Sequence, residues 1–341
     1  MESSLTISIV IPSYNRVNEL SELMESILKQ EIAPDEVIIC EDNSPQKNEI
    51  RKLASHYKPL FLNKKIKLVY EENESNLGYD KNLRKGIELS SSEWSFVIGN
   101  DDLFLPNAIH DVKCFLNKNN GVNFISRTFL RFNTDISKPI GISRISFKDE
   151  VFDKNNSESN IIFRTAGFVG GLVINTSFAR KNTTTMFDGS LYYQIYLAAV
   201  AYCNGGIGYI STPIVGGRAD NPPMFGNATD DNQLHIPGGY TAKGRASMWR
   251  GVLTISEYVG EKYKIDLYTS LHRELMIRQA FHVFEMNAGQ SMKTNYDLIN
   301  ELGKLGLMKH YVPWGFFLLN SILGKYARIF YKIVRKKIQA N

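Results

Sequence analysis

Cysteine is scarce in this sequence: there are three in 341 residues, and no two of them form a C-x-x-C pair. Cys40, Cys114 and Cys203 lie far apart along the chain and are odd in number. That pattern supports neither a disulfide framework nor a zinc knuckle. So few cysteines are typical of a reducing compartment, and we expect this protein in the cytosol.

Long apolar runs are absent too. No stretch reaches the roughly 18 uninterrupted apolar residues that a membrane span needs. Residues 1–7 contain no basic cluster ahead of the first β-branched run, which is not the pattern of a signal peptide. Apolar residues make up 43% of the chain and charged residues 22%. This composition indicates a globular protein with a large core rather than a disordered chain.

The glycine-rich motifs that cradle phosphates are also missing. No G-x-G-x-x-G follows the first predicted strand, and no G-x-x-x-x-G-K-[ST] occurs anywhere. A dinucleotide-binding fold and a P-loop therefore have little support. If the chain binds phosphates, another group must neutralise their charge.

The two signs of charge nearly balance except at the C-terminal end. The net charge is +5, but residues 302–341 hold eight basic residues and no acidic one, which leaves −3 for the rest of the chain. A protein that coats nucleic acid would spread its basic residues over a wider surface. We therefore predict a near-neutral body with a basic tail, and no nucleic-acid partner.

The first hundred residues contain an alternation of strand and helix patterns. Apolar β-branched runs predict strands, and apolar residues spaced by three and four predict helices. Their alternation predicts an α/β fold with a mostly parallel central sheet and helices on both faces. The predicted strands are 7–11, 36–40, 66–70 and 94–98, and the predicted helices are 18–30, 50–57 and 79–89.

The pattern is less regular after residue 110. Segments 123–132 and 140–147 predict strands, and 167–175 predicts a glycine-marked turn into a strand. Residues 154–160 predict a loop, 191–202 a helix, and 205–231 a strand followed by a long loop. From residue 241 onward the pattern is helical.

Polar residues collect at the ends of the four predicted strands. Residues 12–16 follow the first strand, 41–44 the second, 76–78 the third and 100–102 the fourth. In open α/β sheets, ligands bind outside the carboxyl ends of the strands. The sequence therefore predicts a binding site at this edge of the sheet.

Two adjacent carboxylates, Asp101 and Asp102, stand where the fourth predicted strand ends. Mg²⁺ and Mn²⁺ prefer oxygen ligands and are commonly held by one or two carboxylates plus the phosphates of a substrate. The alternative is a turn or a helix cap, which aspartate also favours. Asp42 occupies a comparable place one strand away, which a turn does not require, and so favours the cation site.

Four segments occur in the order and rough spacing of family 2 glycosyltransferases: ISIVIPSYNR at 7–16, EVIICEDNS at 36–44, NLGYDKN at 76–82 and VIGNDD at 97–102. The chain most resembles the bacterial enzymes that add sugars to O-antigen or capsule repeat units, including the abequosyltransferase-like group. The resemblance implies the GT-A nucleotide-diphospho-sugar transferase fold. It also implies a catalytic domain at 1–240, with a nucleotide-binding half at 1–110 and an acceptor half with a flexible loop at 111–240. A helical C-terminal region with a basic amphipathic tail follows at 241–341.

The resemblance assigns the strand-end residues to a nucleotide-diphosphate sugar donor. Asp42 would accept a hydrogen bond from the base, and Asp101 would approach the ribose or a metal-bound water. Asp102 would ligate Mn²⁺ or Mg²⁺ bridging the diphosphate, where the ion stabilises charge on the departing nucleoside diphosphate. The other residues that would line or adjoin the base and ribose pocket are Pro12, Tyr14, Asn15, Asn76, Gly78 and Asn82.

The sequence departs from the family pattern in two places. Asn100 stands where the acidic triplet usually begins, which leaves one carboxylate fewer for the metal. Tyr193 and Gln194 stand where many relatives carry a Glu-Asp pair that includes the catalytic base. Neither side chain is a base at neutral pH.

An inverting transfer needs a base to take the proton of the acceptor hydroxyl. Asp188 is the nearest carboxylate and is our predicted catalytic base, although Phe187-Asp188-Gly189 is also a good turn. Other candidates lie in the predicted long loop, whose closure over the donor would also bring basic residues to the diphosphate. The candidate bases are Asp220, Asp230, Asp231 and His235, and the basic residues are Arg218, Lys243 and Arg245.

Residues 319–338 predict a basic amphipathic helix. This pattern is typical of a helix lying in an anionic membrane interface. The alternative is a helix packed on the catalytic domain with a solvated basic face. We expect the membrane, because an acceptor built on a lipid carrier lies there. The apolar stripe comprises Leu319, Ile322, Leu323, Tyr326, Phe330, Ile333 and Val334, preceded by Trp314, Phe316 and Phe317.

These features predict an inverting, metal-dependent glycosyltransferase at the cytoplasmic face of the cell membrane. It would move a sugar from a nucleotide-diphosphate donor to a lipid-linked oligosaccharide in O-antigen or capsule synthesis. One alternative is a sugar-nucleotide nucleotidyltransferase, which the missing glycine-rich basic loop after the first strand disfavours. Another is a non-catalytic membrane scaffold for a partner glycosyltransferase, which the missing Glu-Asp pair favours.

Overall fold

The first hundred residues form the predicted alternation of strands and helices. The structure is a computed structural model that describes residues 5–222, 224, 226, 228 and 241–340, without the side chains of 335–340. The predicted positions agree with the observed ones to within a few residues, although α2 extends well beyond its predicted range. The bounds are β1 Ile7–Ser13, α1 Val17–Leu28, β2 Glu36–Glu41, α2 Lys47–Asn63, β3 Lys67–Glu72, α3 Tyr79–Leu89 and β4 Trp94–Val97.

The middle of the chain contains more elements than the pattern predicts. The strands expected near 123–132 and 167–175, the strand expected to begin segment 205–231 and the helix expected at 191–202 are present, but three helices, α4, α5 and α6, are additional. The bounds are β5 Leu103–Phe104, α4 Ala108–Lys118, β6 Phe124–Phe132, β7 Gly141–Ser143, β8 Glu150–Phe152, α5 Asn160–Ala166, β9 Leu172–Asn175, α6 Thr176–Lys181, α7 Tyr193–Cys203 and β10 Ile207–Arg218.

The C-terminal region is helical, as predicted, but its tail is two helices rather than one. The break falls at Gly324, whose φ of 50° favours glycine. None of the helices in the described part of the chain is long and apolar enough to cross a bilayer. The bounds are α8 Ala242–Tyr263, α9 Tyr268–Arg273, a π-helical segment Glu274–Arg278, α10 Ala280–Met286, α11 Met292–Lys304, α12 Tyr311–Leu323, a 3-10 turn Gly324–Tyr326 and α13 Ala327–Ala340.

The strands of the described chain form one sheet in the order β3-β2-β1-β4-β9-β6-β10-β5, with β7 beside β6 and β8 beside β10. Strands β3, β2, β1 and β4 are parallel, and Ile9 lies opposite both Val37 and Phe96. Beyond β4 the sheet is mixed, because β9 runs antiparallel to β4 and β6 while β6 and β10 are parallel. The parallel half brings the carboxyl ends of β1, β2 and β4 to one edge.

Buried side chains cover both faces of this sheet, as the predicted fold class requires. Along β1, Ile9 belongs to the core layer that includes α1 and α2, while Val10 belongs to the layer that includes α3 and α7. This alternation is the period of a strand. The second layer continues to Leu253 of α8 and Tyr331 of α13. The C-terminal helices therefore share a core with the sheet, and the functional division at residue 240 stays a prediction.

Candidate active site

A cavity of about 680 Å³ opens where β1, β2 and β4 end, and we call it the strand-end cavity. It brings together residues separated by up to 90 positions in the first third of the chain. Of the predicted site residues, Asn15 and Asp188 do not line it. Those that do are Pro12, Tyr14, Asp42, Asn76, Gly78, Asn82, Asp101 and Asp102.

Asp42 is the centre of a buried hydrogen-bond network at the end of β2. Its Oδ1 accepts hydrogen bonds of 2.8 Å from the amide of Leu77 and from Asn73 Nδ2, and its Oδ2 accepts one of 3.0 Å from the amide of Gly78. Burial raises the pKa of the Asp42 carboxyl, and the three donors oppose that rise. Gly78 has a φ of 81°, which favours glycine. The turn before α3 is thus folded onto a fixed acceptor in the cavity wall.

Two further predicted donor-site residues lie beside Asp42. Asn82 donates to the carbonyl of Cys40 at 3.0 Å, and its Oδ1 accepts from Asn73 at 2.9 Å. Tyr14 presents a half-buried phenol, and burial raises the pKa of its hydroxyl. Both side chains therefore face the cavity from fixed positions.

Asn15 supports the turn after β1 rather than lining the cavity. Asn15 and Arg16 adopt left-handed conformations, with φ values of 55° and 67°. Asn100 Nδ2 donates to the carbonyl of Asn15 at 2.9 Å and approaches the carbonyl of Tyr14 and Ser13 Oγ at 3.4 Å. A carboxylate at position 100 could not donate to these three acceptors. The departure from the acidic triplet therefore has a local structural role.

Asp101 ties the turn after β1 to the segment after β10. Its Oδ2 lies 2.6 Å from Arg16 Nη1 and accepts a 2.9 Å hydrogen bond from Asn221 Nδ2. Arg16 also donates to the carbonyl of Pro222. One ion pair therefore joins the two sides of the cavity mouth.

Asp102 is buried beneath this ion pair, with 3% of its surface exposed. Its Oδ1 accepts a 3.1 Å hydrogen bond from the amide of Arg218. Burial, followed by the charge of Asp101, raises the pKa of Asp102 to about 8. A Cβ on Gly99 or Gly170 would press on this carboxylate, so glycine at both positions permits the close approach.

The donor set of Asp101 and Asp102 fits a hard divalent cation. No group of three or more His, Cys, Asp or Glu side chains suited to a metal is found in the described residues. Asp102 Oδ2, however, accepts no hydrogen bond within that part of the chain. Mg²⁺ and Mn²⁺ commonly take one or two carboxylates and complete their shell with waters and substrate phosphates. The site therefore fits an ion that arrives with a diphosphate.

Asp188 does not lie with these residues, and its role as the catalytic base stays a prediction. Both of its carboxylate oxygens are held by Arg84, at 2.5 and 2.8 Å, and it does not line the cavity. Arg84 also donates to the carbonyl of Thr184 at 2.9 Å. A carboxylate occupied in this way is poorly placed to take a proton from an acceptor.

The other candidate bases and basic residues of the predicted long loop differ in whether they line the cavity. Asp220 is exposed and does not line the cavity, and the same holds for Lys243. Arg218 and Arg245 do line it. Three candidates lie outside the described residues: Asp230, Asp231 and His235.

The position of the missing Glu-Asp pair is a neutral wall of the cavity. Gln194 lines it and accepts a 3.2 Å hydrogen bond from the hydroxyl of Tyr79. The buried carboxylate of Asp80 accepts from the amides of Leu191 and Tyr193 at 2.8 and 3.0 Å. Asp80 therefore stabilises the start of α7 and fixes the direction in which Gln194 points.

The C-terminal helices build the opposite side of the cavity, which the pattern of polar residues at the strand ends does not predict. We call this side the C-terminal wall; it consists of Arg245 and Met248 from α8 and of Gln279, His282 and Met286 on and just before α10. The spacing of 279, 282 and 286 puts these three residues on one helix face. This spacing is the signal in the sequence, but nothing local connects it to the strand ends.

Arg164 of α5 adds a cation to the same cavity. Burial lowers the pKa of its guanidinium, and the neighbouring charge of Arg278 lowers it further. Together with Arg16, Arg218 and Arg245, it makes the cavity rich in arginine. Such a lining suits an anionic ligand.

Comparison with known proteins relates the strand-end residues of this site to a family. The model described as "Glycosyl transferase family 2" matches residues 8–172. Abequosyltransferase RfbV of Salmonella typhimurium is 23% identical over 229 residues, which cover 64% of this chain and 68% of that protein. An uncharacterized glycosyltransferase of Haemophilus influenzae is 30% identical over 119 residues, or 35% of this chain and 37% of that protein.

A solved structure shares the fold over nearly the whole chain. S. aureus TarS 1-349 in complex with UDP-GlcNAc superposes with a TM-score of 0.62 at 16% identity, covering 96% of this chain and 89% of that one. The predicted GT-A fold with a helical C-terminal region is thereby confirmed. Residues 8–172 of the chain match glycosyl transferase family 2, the family that the four sequence segments resemble.

Proposed function

We propose that this protein is an inverting glycosyltransferase that moves one sugar from a nucleotide-diphosphate donor to a lipid-linked saccharide during synthesis of a bacterial surface polysaccharide. The observation that carries the proposal is the convergence of Asp42, Asp101 and Asp102 in one arginine-rich cavity. The names of the relatives agree, because one is an abequosyltransferase and TarS was solved with UDP-GlcNAc.

The donor would lie along the edge of the sheet. The free lone pairs of Asp42 suit a donor group on the base, and the ring of Tyr14 offers a flat apolar surface beside it. The diphosphate would then lie towards Asp101 and Asp102, where Arg16 and Arg218 supply positive charge. O-antigen and capsule repeat units are the expected products.

Asp102, helped by Asp101, would hold a Mn²⁺ or Mg²⁺ ion. When bound, the ion would stabilise the negative charge that develops on the departing nucleoside diphosphate. The chain's own part is to orient these carboxylates. The amide of Arg218 holds Asp102, and Arg16 holds Asp101.

The acceptor would reach the cavity from a membrane surface, on which the protein would lie peripherally at the cytoplasmic face. One face of α12 and α13 packs inward: Asn320 Nδ2 donates to the carbonyl of Phe284 at 2.8 Å, and the ring of Tyr331 lies 5.3 Å from that of Phe281. These contacts support the packing alternative for this inner face. The outer face supports the membrane proposal.

The outer face exposes several large apolar side chains, which we call the apolar tail face. Exposed apolar side chains grouped on one segment often mark a partner or membrane surface. The exposed cations Lys325 and Lys332 flank it, and no acid occurs after residue 301, so its charge complements anionic lipid. Its members are Tyr311, Trp314, Leu318, Ile322, Tyr326, Ile329, Phe330 and Ile333.

The deciding experiment incubates the purified chain and Mn²⁺ with UDP-, dTDP-, GDP- and CDP-linked hexoses. We expect release of a nucleoside diphosphate from one donor class. Asp42→Asn should weaken binding of that nucleotide about tenfold, because the amide cannot accept at both positions. Glu49→Gln, on the exposed surface of α2, is the matched control.

Two outcomes would overturn the proposal. Pyrophosphate among the products would support the nucleotidyltransferase alternative. Failure to turn over or bind any of the donors would support the scaffold alternative.

A further inference from the structure

Arg164 of α5 is a half-buried cation that borders two cavities. It lines the strand-end cavity, and it also lines a second cavity of about 300 Å³ beside β8 and α5. Within the described part of the chain, its guanidinium makes no hydrogen bond and no ion pair. The N–H donors of Arg164 are therefore not used by any protein group that the structure describes.

The charge of Arg164 is not balanced by its neighbours. Among the described residues, the charged groups that act on its guanidinium are Arg278 and Glu274, both on the π-helical segment that precedes the C-terminal wall. The carboxylate of Glu274 is already shared, because its Oε1 accepts a 2.9 Å hydrogen bond from Gln279 Nε2 and lies 3.8 Å from Arg278 Nε. Two guanidiniums and one carboxylate leave an excess of positive charge here.

An unpaired cation in this position indicates an anionic ligand. Partial burial removes water from the guanidinium of Arg164 without supplying a counter-ion, which costs free energy. A carboxylate or a phosphate would offset that cost, because its oxygens match the planar guanidinium with two parallel hydrogen bonds. The second cavity does not suit such a ligand, since Glu150 and Glu158 line it and would repel an anion. The strand-end cavity is therefore the place for this ligand.

The ligand of Arg164 differs from the diphosphate of the donor. The cation site has its own basic neighbours, and the strongest positive charges that act on Asp102 are those of Arg127 and Arg16. Arg164 lies instead beside the π-helical segment, on the side of the C-terminal wall. In the proposed function the donor occupies the strand ends, so this side of the cavity is left for the acceptor.

We propose that Arg164 binds an acidic group of the acceptor saccharide, a carboxylate or a phosphate, and thereby selects an anionic acceptor. This inference rests on the proposed function, and it names the class of saccharide that the protein accepts. Held by its acidic group at Arg164, the saccharide would approach the donor from the side opposite the strand ends. A neutral saccharide would leave the guanidinium without a partner and would bind more weakly.

Binding of simple saccharides to the full chain tests this role. The protein is first saturated with Mn²⁺ and with the nucleoside diphosphate of whichever donor it hydrolyses among the UDP-, dTDP-, GDP- and CDP-linked hexoses. Three probes are then titrated by calorimetry: methyl glucoside, which is neutral, methyl glucuronide, which carries a carboxylate, and glucose 1-phosphate. We expect one of the two anionic probes to bind about tenfold or more tightly than the glucoside, the scale of a hydrogen bond to a charged group. The probe that does so identifies the acidic group.

Variants of Arg164 show whether the guanidinium is responsible. Arg164→Gln should lower the affinity for the anionic probe to within about twofold of that for the glucoside, while the donor KM stays within about twofold. Arg164→Lys keeps the charge but loses the planar fork, so it should retain part of the preference. Arg250→Gln removes an exposed arginine of α8 that lines neither cavity, and it should match the wild type.

Thermal denaturation separates binding from a structural role. Because Arg164 is an unpaired cation beside Arg278, Arg164→Gln should keep or raise the Tm. A lowered Tm would give Arg164 a structural role, and a raised donor KM would place it in the donor site. Either result would overturn the proposal.

The remaining outcomes separate this inference from the function on which it rests. A wild-type protein that hydrolyses no donor and binds no nucleoside diphosphate contradicts both. If the wild type hydrolyses a donor but binds the three probes equally well, the proposed function stands and the anionic acceptor is wrong. The same conclusion follows if Arg164→Gln keeps the full preference for an anionic probe.

Discussion

Asp188 and Arg84 form a two-point ion pair between the turn before α7 and the middle of α3, with N–O distances of 2.5 and 2.8 Å. The two side chains are 13% and 12% exposed. Gly189, with a φ of 84°, completes the turn that presents the carboxylate. Since removal of one partner leaves a largely buried charge, the pair is a structural clamp between α3 and the turn before α7.

The first prediction follows from this clamp. Asp188→Asn should lower the free energy of unfolding by about 1–3 kcal/mol, because it replaces charge-assisted hydrogen bonds with weaker ones. Turnover per folded molecule should stay near the wild-type value. Thermal denaturation, combined with donor turnover well below the transition, measures both effects.

Arg84→Gln provides the matched control for that clamp. It should lower the free energy of unfolding by a similar amount. The free energy of unfolding of the double variant should fall by less than the sum of the two single decreases. If Asp188→Asn instead loses about 10²-fold in turnover with unchanged stability, Asp188 is the base after all.

The second prediction concerns the cation. Asp102→Ala should abolish transfer and weaken Mn²⁺-dependent nucleotide binding. The reason is that Oδ2 of Asp102 accepts no hydrogen bond from the described residues and is therefore available to the ion. The fold should survive, since burial already disfavours the charged form of Asp102 and raises its pKa, so that the change removes a charge that costs free energy to bury. Nucleotide titrations with and without Mn²⁺ measure the effect. Turnover by this variant at the wild-type rate, or full activity of the wild-type protein in excess chelator, would contradict the metal proposal.

The third prediction restores the family's acid at position 100. Asn100→Asp should destabilise the turn after β1 by about 1–3 kcal/mol, because it replaces a donor to three oxygen acceptors with a fourth acceptor. Nucleotide affinity should fall as Tyr14 and Arg16 lose their positions. Asn48→Asp, on the exposed surface of α2, controls for the added charge. Tighter Mn²⁺ binding with unchanged stability would show that residue 100 faces the ion instead.

The donor half of the site could be predicted from sequence because its signals are local. Each strand of the first hundred residues is an apolar β-branched run, and parallel strands carry the polar residues that follow them to one edge. Asp42, Asp101 and Asp102 meet there for that reason. The contact between Asn15 and Asn100 could not be predicted in this way, because the two residues are 85 positions apart in the sequence.

The acceptor half could not be predicted in the same way. Asp188 precedes a helix as a catalytic acid might, yet its partner Arg84 lies 104 positions earlier, and no local pattern reveals the pair. His282 reaches the cavity only because α10 packs on α12 and turns one face back towards the sheet. The break at Gly324 separates the two tail helices. The residues that face inward and outward therefore differ from those of the single helix predicted at 319–338.

The last prediction concerns the apolar tail face. Ile322 and Ile329 are 79% and 57% exposed, so glutamate at either position should leave the fold intact. Each change removes about 1.5 kcal/mol or more of apolar burial at an interface and adds a charge repelled by anionic lipid. Binding to anionic vesicles should fall about tenfold or more for each, in co-sedimentation at low salt. Wild-type binding should weaken at high salt as the contribution of Lys325 and Lys332 is screened.

Leu62→Glu is the matched control, because Leu62 is 71% exposed on α2, in the same size class and outside the tail. Removal of the whole tail would be a poorer test, since it would uncover Phe281 and Phe284, which pack against Phe316. The point variants avoid that exposure and keep Asn320 and Tyr331 in place. If they bind anionic vesicles as the wild type does, or if the wild type ignores such vesicles, the apolar tail face does not dock on a membrane. A wild type that binds neutral and anionic vesicles equally would show that apolar contact alone, without the basic residues, holds the protein there.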